Sequence, residues 1–204
     1  MKKSQYQICV SGAAAGETVE ASHQLAFRLG QAIARQGHTL ITGATIGLPH
    51  YAAMGASLEG GLSVGFSPAS SHREHIKTYR LPTKEFDYIN FTGMAYVGRD
   101  VHLVRSSDAV ITVGGRMGSL HEFSTATESK KVCGVLLGSG GLADFIPTLV
   151  KNIPTPGADN IIYDTDPERL VRQVIKALDA KYAEDKVGDD KPLDPETVPK
   201  NRRG

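Results

Sequence analysis

The run Asp108-Ala109-Val110-Ile111-Thr112-Val113 passes directly into Gly114-Gly115-Arg116-Met117-Gly118, and a helix-forming stretch from about Ser119 to Ser129 follows. Of all the features in this chain, that unit most constrains the fold. A short β-branched apolar run without alternation suits a strand buried on both faces, as in a parallel sheet covered by helices. Glycines at its end let the backbone turn sharply and approach a ligand closely. The helix behind them presents unpaired N–H groups and the positive end of its dipole, which together suit an anion.

The same grammar recurs upstream. Gln7 to Ser11 reads as a strand, Gly12 to Gly16 as a small-residue loop, and Thr18 to Gln36 as a helix stopped by Gly37. A strand over Thr39 to Thr42, a second small-residue loop over Gly43 to Gly47, a helix over Pro49 to Glu59 and a strand over Leu62 to Phe66 come next. Alternating strands and helices specify an α/β domain of modified Rossmann type, with a doubly wound, mainly parallel sheet and right-handed crossovers. Ser67 to Asp87 is polar and irregular, longer than most loops, and reads as a functional or mobile segment. Beyond it the pattern predicts a strand over Tyr88 to Thr92 and a helix over Gly93 to Ser107 whose apolar stripe is Val97, Val101 and Val104. A strand at Val132 to Leu137, helices at Ala143 to Lys151 and Pro167 to Tyr182, and a strand at Ile161 to Tyr163 complete a single domain over residues 1–183. Residues 184–204 carry charges of both signs, three prolines and few large apolar side chains, which predicts a disordered tail.

Composition narrows the function classes. With 204 residues the chain suits one α/β domain rather than two. A formal charge of +1 offers no broad electrostatic footprint for nucleic acid or an anionic membrane, so any phosphate recognition has to be local. Cys9 and Cys133 both lie in apolar strand-like runs and read as small core hydrophobes rather than a disulfide framework. With no leader-like or membrane-length apolar run, the expected compartment is the cytoplasm.

Three small-residue turns should meet at the carboxyl edge of the sheet, where open α/β folds bind ligands. Gly12 and Ala13, Gly43 and Ala44, and the run Gly114, Gly115, Arg116, Met117, Gly118 and Ser119 are the candidate phosphate- or nucleotide-binding residues. The first turn lacks G-x-G-x-x-G spacing, and no turn carries the lysine of a P-loop, which argues against a dinucleotide enzyme or a kinase. Glu122, one turn into the last helix, could stabilise positive charge or orient a water. Ser119-x-x-Glu122 also fits a capping box, whose two side chains would merely satisfy backbone amides. Alone, Arg99 reads as a solvated helix-face arginine, and His121 as a helix-surface histidine. Thr92 and Tyr96 either line a pocket or cap and pack the helix that begins near Gly93. His72-Arg73-Glu74-His75 is not H-E-x-x-H and reads as part of a solvated loop, and no metal or redox cofactor is expected.

Between Ile8 and Leu137 the chain resembles the Lonely Guy (LOG) family and its wider superfamily of Rossmann-like nucleotide-binding proteins. That family carries P-G-G-x-G-T-x-x-E after a strand and an arginine one helix earlier. Gly114-Gly115, Gly118, Ser119 and Glu122 match the motif, and Arg99 falls where the arginine stands. Val113 replaces the proline, Ser119 the threonine and Asp100 the lysine after the arginine, and Arg116-Met117 supplies two residues for one. The resemblance implies a nucleoside 5′-monophosphate phosphoribohydrolase that uses Arg99 and Glu122 to release a free base and ribose 5-phosphate. As the alternative to that leading reading, a related branch, the molybdenum-cofactor carriers, implies a protein that binds a pterin nucleotide without cleaving it. A homodimer or larger homo-oligomer is also implied.

Overall fold

In the computed structural model, which describes residues 5–185, alternate side chains of the central strands enter two separate cores. Strand β1 (Gln7–Gly12) sends Ile8 and Val10 to one side and Cys9 to the other; β5 (Ala109–Val113) divides Ala109, Ile111 and Val113 from Val110 in the same way. Both faces therefore need helical cover, as the unbroken apolar runs predict. Helices α1 (Glu17–Arg35), α2 (Leu48–Leu58) and α7 (Pro167–Asp185) close the first core. Helices α4 (Ala95–Arg105), α5 (Met117–Glu128) and α6 (Gly141–Asn152) close the second.

The remaining strands are β2 (Thr39–Thr42), β3 (Ser63–Ser67), β4 (Tyr88–Phe91), β6 (Val132–Leu136) and β7 (Ile161–Asp164). All seven pair in parallel, in the order β4-β3-β2-β1-β5-β6-β7. The chain winds outward from β1 to one edge, then returns to β5 and winds to the other. Helices leave β1 and β5 on opposite faces, so a crevice opens between their carboxyl ends, the topological switch point of the sheet.

Two glycines let α1 and α2 pack backbone to backbone. A Cβ on Gly30 would collide with the Ala52 carbonyl, and one on Gly55 with the Phe27 carbonyl. Close approach of these helices keeps the α1–β2–α2 unit thin and holds the loops after β1 and β2 together.

Four sequence expectations change. The Ser67 to Asp87 segment contains a helix, α3 (His72–Lys77), whose Ser71 cap accepts a hydrogen bond from the Glu74 N–H. In it His75 is fully buried rather than solvated: Nδ1 lies 2.8 Å from Ser67 Oγ, and Nε2 lies 2.9 Å from the Pro82 carbonyl oxygen. An imidazole bonded at both nitrogens can be buried at little cost, and here it staples the segment to β3. On α4 the expected apolar stripe is turned outward, with Val97 70% and Val101 37% exposed. Only Val104 of the three enters the core, because Arg99 and Asp100 take the inward face. Lastly, α7 continues through residues 184 and 185, and the rest of the expected tail, 186–204, lies outside the described residues.

Replacing Gly30 with alanine should destabilise the protein by about 1–3 kcal/mol in urea denaturation, since overpacking exceeds the gain in helix propensity. Gly118→Ala, where an added Cβ meets nothing within 4 Å, should stay within about 1 kcal/mol of wild type.

Candidate functional site

The period-two alternation of β1 dictates what lies beneath the crevice. Ser11 points to the same side as Cys9, towards α4 and α5, and is 1% exposed. Its hydroxyl donates to Glu122 Oε2. Glu122 comes from the second turn of α5 and is itself buried. The capping box is therefore not formed: Arg116 is the N-cap, Ser119 is the third residue of the helix, and the glutamate turns inward to β1.

Arg99, 4% exposed, is not a solvated helix-face arginine. Its Nη1 donates to the Phe66 carbonyl oxygen at 3.2 Å, across the end of β2. That path exists because residue 43 has no side chain: a Cβ there would overlap Nη1 itself. Arg99 Nε lies 3.2 Å from Asp100 Oδ1, within ion-pair range, yet lacks hydrogen-bond geometry and has no hydrogen-bond partner. We take this contact as coulombic, which leaves a buried donor unsatisfied. Asp100, also buried, places Oδ2 3.0 Å from His121 Nδ1. Tyr96, half exposed, has Arg99 Cζ 5.9 Å from its ring centroid and meets the Tyr79 ring edge-on at 5.5 Å.

The electrostatics follow from this crowding. Burial, then the Asp100 charge, push the Glu122 carboxyl up to about 7, while Arg99, the Ser11 hydroxyl and His121 pull it down. Burial, reinforced by Glu122, also raises the Cys9 thiol well above its usual range, so this cysteine stays protonated and inert.

Above the cluster lies a cavity of about 180 Å3. Arg99, Glu122, Gly12, Ala13, Gly43, Arg116, Gly118 and Ser119, all singled out from sequence, line it. Tyr96 lines it too, whereas Thr92 donates to the Ser67 carbonyl at 2.7 Å and serves the turn before α4. Four other candidates are not among the lining residues. Ala44 is fully buried, with its N–H on Thr42 Oγ1, and Met117 is 76% exposed. The Gly114 amide donates to Ser139 Oγ, and the Gly114 and Gly115 carbonyls accept from Ala143 and Leu142 at the start of α6. The double glycine, with φ of 55° and 102°, thus docks α6 instead of facing the cavity. Sequence reasoning overlooked Ser11, Thr45 and Asp100 as lining residues. Strand alternation could have revealed Ser11, and Thr45 lies within the Gly43 to Gly47 turn already expected at the ligand edge. No group of three or more His, Cys, Asp or Glu able to hold a metal occurs among the described residues.

A switch-point crevice flanked by small-residue turns, with a buried arginine and a helix N-terminus at its floor, marks a Rossmann-like α/β protein. Residues 5–171 match the SLOG cluster4 family, and the chain belongs to it. An uncharacterized protein of Archaeoglobus fulgidus is 37% identical over 125 residues, which is 61% of this chain and 76% of that protein. Among solved structures, the molybdenum cofactor binding protein of Rippkaea orientalis is 26% identical with a TM-score of 0.68, covering 86% of this chain and 98% of that one. The Moco carrier protein of Chlamydomonas reinhardtii is likewise 26% identical, with a TM-score of 0.70 and coverage of 87% and 99%. No helix among the described residues is long and apolar enough to cross a membrane.

Glu122 should leave a signature in stability. Because its folded value is raised above the ordinary 4.5, the folded state holds the proton more tightly; the resulting stabilisation is full below about pH 4.5 and is lost as pH rises through about 7. Between pH 5 and pH 8, wild type should therefore lose on the order of 2–3 kcal/mol relative to Glu122→Gln, measured by urea unfolding of both proteins.

Proposed function

We propose that this chain binds a small anionic nucleotide or pterin-type cofactor at the β1–β5 crevice and holds it without cleaving it. The observation that carries this reading is the convergence of Arg99, Arg116 and the first turn of α5 on one cavity whose carboxyl, Glu122, is held close to neutral. Amides of Gly118 and Ser119, within the first helical turn, lack intrahelical acceptors and would join the arginines on a phosphate. A cavity of about 180 Å3 is below the usual volume of a whole-ligand pocket, so it suits the phosphate end. The ring system would then extend beyond it. Likeness to two Moco-binding proteins, across nearly their whole length, supports the same reading.

Hydrolysis is the second reading, and one observation favours it. Glu122, pushed up to about 7, is poised where a general acid or base works best, in the same cavity as Arg99. Against it stands the charge an N-glycosidic cleavage needs. Breaking the C1′–N bond builds positive charge on the ribose, and a protonated carboxyl cannot offset that charge.

One experiment separates the two. The protein is incubated with AMP, GMP, CMP, UMP and an N6-substituted AMP, with binding followed by calorimetry and ribose 5-phosphate assayed in the same samples. Binding without ribose 5-phosphate, weakened at least tenfold in Arg99→Ala, is expected. Ribose 5-phosphate release that disappears in both Glu122→Gln and Arg99→Ala would overturn the holding role in favour of hydrolysis.

A further inference from the structure

The ionisable groups beneath the crevice cannot all be charged when an anion arrives. Facing Glu122 are Cys9 and Ser11 from β1, Arg99 and Asp100 from α4, and His121 and Arg116 from its own helix and N-cap. Asp100 already balances Arg99, with 3.2 Å between Oδ1 and Nε. An ionised Glu122 would give this buried trio a net charge of −1, and an entering phosphate would meet it with little water between them. A neutral Glu122 removes that repulsion. Since Ser11 donates to Oε2, a proton on Glu122 belongs on Oε1, where it becomes a hydrogen-bond donor.

We infer that an anionic ligand enters this cavity together with one proton, which Glu122 takes up and offers as a hydrogen bond to an acceptor atom of the ligand. Asp100 acts as the positioning residue that keeps the carboxyl neutral while it holds Arg99. The site would therefore select ligands that pair an anionic group with a nearby acceptor oxygen or nitrogen, such as a phosphate monoester of a ribosyl or pterin group. This inference rests on the binding role proposed above. The balance is simple: one proton leaves bulk solvent or buffer, one O–H bond forms at Glu122, and no other bond changes. Burial and the Asp100 charge already move the carboxyl in the required direction.

The test is calorimetric binding of AMP and, separately, inorganic phosphate from pH 7 to pH 9, each in two buffers of different ionisation enthalpy. Wild type should take up close to one proton per AMP at the upper end, and its Kd should rise about tenfold per pH unit there. Glu122→Gln, a permanent neutral donor of the same shape, should bind with a flat profile and no uptake. Two variants should displace the wild-type midpoint in opposite directions: Asp100→Asn to lower pH, because it removes the charge that favours protonation, and Ser11→Ala to higher pH, because it removes the donor that favours the carboxylate. His121→Gln should keep the slope. Binding with no proton uptake, or with the same slope in Glu122→Gln, would overturn this inference and leave the binding role standing. If neither AMP nor phosphate binds at millimolar concentration at any pH, the binding role falls and the inference falls with it.

Discussion

A guanidinium that cannot lose its charge lies under the crevice with almost no solvent around it, and much of the site is arranged around that fact. Burying a charge is tolerable only when it is paired and hydrogen-bonded. Arg99 meets both needs with backbone and carboxylate: the Phe66 carbonyl takes one N–H, and Asp100 supplies the opposite charge. Gly43 supplies the room. Once Asp100 has balanced Arg99, a second buried carboxylate has no counter-charge of its own, and Glu122 responds by holding its proton near neutrality. That one fixed charge thus accounts for the glycine after β2 and the polar inward face of α4, while burial and then the Asp100 charge raise the carboxyl of α5.

How much of this was legible in the sequence divides along physical lines. Strands with apolar residues on both faces announce themselves through Ile8 to Val10, Leu40 and Ile41, and Ala109 to Val113, since burial on two sides demands unbroken hydrophobic runs. The edge strands β4 and β7 were read from shorter, less buried runs, and the parallel sheet from the alternation of strands with helices. Helix α4 misled because Val97 and Val101 make a good apolar stripe, while the side chains actually buried are charged. A hydrophobic pattern cannot anticipate an arginine whose partners come from β3 and its own neighbour. His75 misled for the same reason: its two acceptor and donor partners, Ser67 and Pro82, become adjacent only after folding.

The candidate site was legible at the level of edges and motifs, less so at the level of atoms. Arg99 and Glu122 were singled out by resemblance and do line one cavity. The double glycine was expected to cradle phosphate and instead anchors α6, with the Gly114 amide already bonded to Ser139. The extra residue in Arg116-Met117 fits that change: Met117 opens the helix at the surface, and Arg116 becomes the N-cap beside the cavity. Such local shifts matter because a fold of this kind serves carriers and enzymes alike, and the site decides between them.

Ligand binding at this crevice depends on the protonation state of one carboxyl. Carbon-13 NMR titration of protein labelled at the glutamate side-chain carboxyl, with Glu122 assigned by its loss in Glu122→Gln, reads that state directly, with and without AMP. A midpoint near 7 in the free protein and a higher one with AMP bound is the expected result. A Glu122 midpoint at the ordinary 4.5, unmoved by AMP, would contradict it.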